Sequence, residues 1–232
     1  IGALFAHASG AAVADEAHAT PASDGQEVEI RSPDARTRFV LSTAEGRLRY
    51  SVHRDAAVLI EPSALGLVFR ETADFGVGFR ILDSEIREHD SRWEQPWGER
   101  RFVRDHHRAL RVALQRIAAP HHRLDIEVRV FNDGLGFRYR VPEQEGLAEL
   151  NVLDELTEFR LPKPETIDAW WIPGRGWNRY EYLYQHSKLA DAALVQTPFT
   201  FKNKDGVHIA IHEAALVDYA AMTLNQRRPG PF

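Results

Sequence analysis

The chain has 232 residues, 44% of them hydrophobic and 27% charged, which is enough for one large or two ordinary globular domains with a hydrophobic core. Its 29 basic and 34 acidic residues give a net charge of -5 with no long block of either sign, which argues against nucleic acid or an anionic membrane as a partner. The absence of cysteine excludes disulfides, thiolate catalysis and cysteine-ligated metal sites.

The N-terminal stretch is similar to the second half of a secretory signal. Residues 1–14 are small and apolar and end in an A-x-A-like site before Asp15, although the charged beginning of such a signal is missing. An alanine-rich leader is the alternative. We therefore predict a partial signal peptide and flexible leader over residues 1–26, and an exported protein that is periplasmic or extracellular. No apolar run in the sequence is long enough to span a membrane.

From residue 27 onward the sequence predicts one strand after another. Leu48, Tyr50 and Val52 alternate with polar residues, which is typical of an antiparallel strand with one solvated face. The same alternation predicts strands around residues 110–115 and 126–131, and a further strand is predicted at residues 81–90. The glycines of residues 74–79 lack the third glycine and the following helix of a dinucleotide site, so this segment is predicted to be a loop.

Two hairpins are predicted in the second half of the chain. The first turns at Asn132-Asp133-Gly134, whose residues accept the positive φ angles of a tight turn, and the second turns at residues 203–206. Residues 147–159 stay ambiguous, because leucines every three residues suit a helix while Val152-Leu153 and residues 157–161 suit a strand. Short strands at spacings of roughly eight to twelve residues predict an all-β sandwich.

An acidic residue follows the last clear apolar strand. Val207, Ile209, Ile211 and Glu213 would share one face, because side chains on a strand alternate with period two. Glu213 stands where an apolar residue is due. Either the strand ends and the carboxylate turns into water, or the carboxylate meets a cation or a polar ligand.

Several catalytic or metal motifs are absent or incomplete. A zincin helix is excluded, because Leu216 stands four residues after His212, where the second histidine would be. The pairs 106–107 and 121–122 are histidines without a third ligand at a motif spacing, and we interpret them as solvated loop or strand-end residues. No Gly-x-Ser-x-Gly elbow occurs, and no spacing among the 34 acids singles out a catalytic pair.

Aromatic residues are dense between residues 170 and 184. Flat aromatic rings stack on sugar rings, but they also cover cores and domain interfaces, and the sequence leaves both readings open. The candidates for substrate binding or a domain interface are Trp170, Trp171, Trp177 and Tyr184.

Several short motifs follow one another along the chain, and their order is more specific than any single motif. They are Ser63-x-Leu65-Gly66-Leu67, Trp93-x-x-x-Trp97-Gly98-Glu99, Phe131-Asn132-Asp133-Gly134-x-x-Phe137-Arg138-Tyr139, Asp154-Glu155-Leu156-Thr157-Glu158-Phe159, Trp170-Trp171-Ile172-Pro173, Tyr180-Glu181-x-x-Tyr184, Thr197-Pro198 and Ile211-His212-Glu213-Ala214-Ala215-Leu216-x-Asp218-Tyr219. In this order, over about residues 27–224, the motifs resemble the N-terminal domain of glycoside hydrolase family 97.

The resemblance implies a fold and an activity. The fold is a large antiparallel β-super-sandwich of the galactose-mutarotase-like kind with few or no helices, followed in the family by a catalytic (β/α)8 barrel. The implied parent is an exported, exo-acting α-glucosidase or α-galactosidase. Residues 225–232 would begin the linker to the barrel, no catalytic residue would lie in this chain, and the chain by itself is predicted to be inactive.

The resemblance also implies a cofactor. Family members hold Ca²⁺ in the active site, and the one ligand from the N-terminal domain maps to Glu213. Since Ca²⁺ takes six to eight oxygens, Glu213 without the barrel would hold it weakly or not at all. The implied partners are an α-glucoside or α-galactoside and the barrel domain. A stand-alone carbohydrate-binding module without catalysis, and a structural interaction domain, are the alternatives.

Overall fold

The computed structural model describes residues 25–70, 72–175 and 179–226. Within these ranges the chain forms fifteen strands, all of them paired antiparallel, three short 3₁₀ turns and no α-helix. This confirms the predicted all-β fold. Most of the predicted leader and most of the predicted linker lie outside the described residues, so both stay predictions. In the described part of the chain, no helix could cross a membrane.

The strands form four antiparallel sheets. Their orders are β1-β2-β3-β4, β6-β7-β8-β9, β10-β5, and β12-β11-β13-β14 with β15 also on β13. The strands are β1 (Glu27–Arg31), β2 (Thr37–Ser42), β3 (Arg49–Arg54), β4 (Ala57–Ala64), β5 (Leu67–Phe69), β6 (Phe79–Glu94), β7 (Phe102–Arg116), β8 (Arg123–Val130), β9 (Leu135–Arg140), β10 (Val152–Glu155), β11 (Asp168–Pro173), β12 (Gln185–Lys188), β13 (Leu194–Lys202), β14 (His208–Ile211) and β15 (Thr223–Asn225).

The alternation seen in the sequence corresponds to one shared core. Leu48, Tyr50 and Val52 are all buried, as predicted from their period of two. Strands β2 and β3 meet β9 through aromatic rings, since the ring centroids of Phe39 and Tyr50 lie 6.4 Å and 5.1 Å from that of Phe137. The first two sheets therefore pack face to face, which is the arrangement of a β-sandwich.

The second sheet contains a hairpin longer than predicted. Strands β6 and β7 have 16 and 15 residues and pair along their whole length. The third strand, β8, joins β7 only from Arg108 onward, so residues 102–107 pair with β6 and extend past the sheet. We call residues 88–107 the β6–β7 arm. The sequence did not predict it, because both faces of the arm carry polar residues and no alternation of apolar and polar positions results.

The ambiguous segment 147–159 contains a strand and no helix. Strand β10 pairs with β5, and the residues after it run along the first sheet through hydrogen bonds to the carbonyls of Gly66 and Ala64. Leu147 and Phe159 are buried at the two ends of the segment. The spacing of the leucines therefore does not correspond to one face of a helix.

Two glycines allow two loops to cross in contact. A Cβ on Gly66 would lie 2.7 Å from the Phe75 carbonyl oxygen and 2.9 Å from the Cα of Gly76. The predicted glycine loop at residues 74–79 is thus confirmed, and its close approach supports the hydrogen bonds between Leu67 and Phe75. Residues without a Cβ are required here because the neighbouring atoms are backbone and cannot move aside.

Gly66→Ala should therefore destabilise the fold by about 1–3 kcal/mol, since the added methyl group forces backbone apart. The measurement is the free energy of unfolding from urea denaturation. Gly134→Ala is the matched control, because a Cβ there meets nothing within 4 Å. Equal stability of Gly66→Ala and the control would contradict the packing account.

Candidate functional site

A loop leaves the sheet between β14 and β15. Both strands pair with β13, Ile211 opposite Phe199 and Thr223 opposite Gln196, so they are two parts of one interrupted strand. Proline has no N–H for a sheet ladder, and Pro198 lies at the interruption. The register of β11 against β13 also shifts at this point. Residues 212–222, hereafter the 212–222 loop, are excluded from the sheet as a result.

Glu213 joins the two ends of this loop, residues 213 and 222, which we call its neck. Its Oε1 accepts a hydrogen bond from the backbone N–H of Met222 and another from the Thr197 hydroxyl at 3.4 Å. Strand β14 stops at Ile211, two residues before Glu213. The carboxylate does not turn fully into water, however. It is half-buried and takes the place of the missing ladder.

Glu213 can supply a cation with a single ligand. Both hydrogen bonds are made to Oε1, and none of the described residues donates a hydrogen bond to Oε2. Within the described ranges, no group of three or more histidine, aspartate or glutamate side chains could hold a metal ion. These residues thus fit one ligand position with a fixed orientation, and a complete calcium site would need oxygens from elsewhere.

The rest of the loop is apolar and exposed. Leu216, Val217 and Tyr219 have relative exposures of 49%, 75% and 43%. The loop also contains four alanines, all exposed. Contiguous exposed apolar surface of this kind is typical of a contact with another protein surface.

A second carboxylate, Glu155, holds the loop from outside. The Tyr219 hydroxyl donates to Glu155 Oε2 at 3.2 Å, and the Thr157 hydroxyl donates to Oε1 at 2.5 Å. Thr157 in turn bonds to the hydroxyl of Tyr139 at 2.7 Å, and that hydroxyl accepts from the backbone N–H of Gly66 at 2.9 Å. A continuous series of hydrogen bonds thus runs from the loop to the glycine crossing.

Burial changes the acidity of this network. Burial raises the pKa of the Glu155 carboxyl, and the hydrogen bond from Thr157 opposes the change only in part. The pKa of the Tyr219 phenol is also raised, by burial and by the nearby Glu155 carboxylate. Both groups line a cavity of 480 Å³ between residues 152–159 and 218–224. Glu155 was missed from the sequence as a site residue, although it lies within one of the quoted motifs.

Three of the four aromatic candidates lie in the described part of the chain. Trp170 and Trp171 are consecutive on β11 and so point to opposite sides of the sheet. The Trp170 ring stacks on His186 at 4.8 Å, and the Trp171 Nε1–H donates to Ser187 at 3.1 Å. Tyr184 is 62% exposed, and Trp177 lies outside the described residues. The assignment of these residues to substrate binding or to a domain interface stays a prediction.

The interpretation of the histidine pairs is wrong for two of the four residues. His107 and His122 have relative exposures of only 3% and 6%. His107 lies within β7, where its Nδ1 bonds to Asp105 at 2.5 Å and its ring packs on Phe131. Burial lowers the pKa of His107. Adjacent strand residues face opposite sides, which accounts for the burial of His107 beside the less buried His106. His121 and His122 lie before β8, and His121 has a positive φ.

A family model described as glycosyl-hydrolase 97 N-terminal matches residues 30–231. This chain belongs to glycoside hydrolase family 97, as its N-terminal domain. The matched range includes the predicted domain from residue 30 onward and continues across most of the predicted linker.

Solved structures agree with this family. The family 97 domain is similar to a glycoside hydrolase family 97 enzyme from Pseudoalteromonas sp. strain K8 in complex with panose, with 47% identity and a TM-score of 0.85 over 88% of this chain and 31% of that chain. A complex of that organism's family 97 enzyme with acarbose gives the same identity, TM-score and coverage. A β-arabinopyranosidase at 19% identity and a TM-score of 0.67 shares the fold.

A curated relative is also similar to the family 97 domain. It is a probable retaining alpha-galactosidase from Streptomyces bingchenggensis (strain BCW-1), 32% identical over 148 residues, which are 61% of this chain and 21% of the relative. The chain therefore spans about a third of the length of the solved enzymes and about a fifth of that of the curated relative.

The raised pKa of Glu155 predicts a pH dependence of stability. The folded state holds the Glu155 proton more tightly than the unfolded chain, so this carboxyl stabilises the fold most below the ordinary glutamate pKa. Its contribution should fall as the pH rises from about 4.5 through the raised pKa. The stability of wild type relative to Glu155→Gln should therefore decrease with increasing pH, as measured by urea denaturation between pH 4.5 and 7.

Glu149→Gln, which removes an exposed carboxylate, is the control and should follow the wild-type pH profile. A wild-type advantage over Glu155→Gln that grows with pH would show that the hydrogen bonds from Thr157 and Tyr219 outweigh burial.

Proposed function

We propose that this family 97 domain is the part of an exported, exo-acting α-glucosidase or α-galactosidase that supplies one calcium ligand, Glu213, and part of the wall of the active site. The observation that carries the proposal is the position of Glu213 at the neck of an exposed loop. The catalytic acid and base belong to a separate barrel domain in this proposal.

The hydrogen bonds of Glu213 support its role as a ligand. The Met222 N–H and the Thr197 hydroxyl restrict the carboxylate through Oε1, and Oε2 has no hydrogen bond among the described residues. Metal ligands are commonly oriented by such donors, and loss of these partners weakens metal binding. A hydrogen-bonded carboxylate is also the type of oxygen donor that Ca²⁺ prefers.

The exposed apolar residues of the loop support a domain contact. Leu216 and Val217 lie beside Glu213 in sequence and face solvent. A barrel packed on them would bury this surface and would bring its own oxygens towards Oε2. Such a contact places the carboxylate at the junction of two domains, where ligand sites commonly lie.

The proposed chemistry of the site depends on the charges of the calcium ion and of Glu213. Calcium, when bound, supplies a positive charge that polarises the glycosidic region of the substrate. Glu213 would contribute one negative charge and a fixed direction to that ion. The carbohydrate class is supported by the relatives, one solved with panose and one described as a probable alpha-galactosidase.

Glu213→Gln tests this proposal in a chimera that joins this chain to the barrel of a family 97 enzyme whose activity is lost on chelation. The amide keeps the size of the side chain and an oxygen for Met222 but removes the charge. We expect the calcium concentration for half-maximal hydrolysis of an aryl α-glycoside to rise by roughly tenfold or more.

The control is Glu149→Gln, which removes an exposed carboxylate far along the chain from the loop. It should leave the calcium requirement unchanged. If Glu213→Gln and Glu149→Gln have the same calcium requirement as wild type, Glu213 is only a structural clamp and the ligand proposal fails.

A further inference from the structure

We propose that Glu155 is a positioning residue for the 212–222 loop: by holding Tyr219 it fixes the place at which the loop presents Glu213. The part that concerns Glu213 as a ligand rests on the proposed function, whereas the anchoring of the loop does not.

The loop is attached at two points. The first is its neck, where Glu213 accepts from Met222, and the second is Tyr219, whose hydroxyl reaches Glu155. In the described part of the chain, Tyr219 is the one side chain of residues 214–221 with a recorded hydrogen bond outside the loop. A loop of this length held only at its neck would pivot, so the second attachment sets its orientation.

Glu155 is itself held in a fixed direction. Thr157 donates its only hydroxyl proton to Glu155, so the hydroxyl of Tyr139 must donate to Thr157. The oxygen of Tyr139 then accepts from the Gly66 N–H. Every proton in this series points towards Glu155, and hydrogen bonds ordered in one direction polarise and strengthen one another.

The series of hydrogen bonds begins at residues that are packed into the fold. Tyr139 lies on β9 and packs against the hydrophobic core, and Gly66 lies at the crossing where the backbone is in contact with Gly76. A rotation of Glu155 would break bonds to both Thr157 and Tyr219. The Glu155 carboxylate thus connects the loop to the core and fixes the position of the loop.

The chain contains a single methionine, Met222, which provides a direct probe. Met222 lies at the end of the loop, its N–H is bonded to Glu213, and it lines the cavity that contains Glu155. A [methyl-¹³C]methionine label gives one NMR signal from the full 232-residue chain. The exchange rate of the Met222 amide proton reports the Glu213 bond independently.

Tyr219→Phe removes the hydroxyl and keeps the ring. We expect the Met222 methyl signal to shift or broaden and its amide to exchange roughly tenfold faster or more, since the lost bond is to a charged acceptor. Tyr180→Phe is the matched control, because Tyr180 is a similarly exposed tyrosine whose hydroxyl has no recorded partner among the described residues. It should leave both signals unchanged.

An unchanged Met222 methyl signal and amide exchange rate in Tyr219→Phe would overturn the anchoring, even if the variant lowers the melting temperature. A melting-temperature change by itself would show only a structural role. The NMR result does not depend on calcium, so it remains decisive if Glu213→Gln fails to alter the calcium requirement of the chimera.

The same chimera tests the link to Glu213. Tyr219→Phe should raise the calcium requirement in the direction of Glu213→Gln but to a smaller extent, with Tyr180→Phe as control. If Glu213→Gln raises the requirement and Tyr219→Phe does not, the positioning of Glu213 through Glu155 is wrong while the proposed function stands.

Discussion

The site depends on an interruption in one strand. Strand β13 pairs with β14 on one side of Pro198 and with β15 on the other, and the eleven intervening residues cannot remain in the sheet. A backbone that leaves a sheet loses its ladder partners, and buried donors must find others. Glu213 provides that acceptor for Met222. The same carboxylate that is proposed as a ligand is therefore also the group that makes the loop possible.

These two roles explain why a carboxylate is found at position 213. A carboxylate that ends a core-facing row is expensive unless it is hydrogen-bonded, and the neck of the loop supplies two donors. Those donors bond to one oxygen, and the other has no hydrogen bond among the described residues. The structure requires an acceptor oxygen here, and the proposed chemistry requires its charge. An amide at position 213 would preserve the structural part only, which is why the charge and the clamp can be separated by experiment.

Much of the fold could be predicted from the sequence. Alternation of apolar and polar residues identified β3, β7 and β8, and the turn residues at 132–134 located the hairpin between β8 and β9. These signals are local, because they lie within one strand or one turn. The expected positive φ angles are not found at residues 132–134, although the hairpin forms there. The long β6–β7 arm gave no such signal, since both of its faces carry polar residues.

The candidate site could be predicted only in part. Glu213 was identifiable because an acid in an apolar row is a local contradiction, and the family resemblance then assigned it a role. The contact between Glu155 and Tyr219 joins residues 64 positions apart through a cavity wall, and no spacing in the sequence records it. The burial of His107 and His122 was missed for the same reason: a polar residue is buried by neighbours that sequence alone does not bring together.

The β6–β7 arm has a consequence for where the domain opens first. Residues 102–107 have a paired strand on one side only, and an isolated two-stranded ribbon is marginally stable in water. Its amides should exchange with solvent through local opening at a cost well below that of unfolding the sandwich. The domain therefore has a graded stability, in which the arm can unzip from its tip while the sheets that carry Glu155 and Glu213 remain intact.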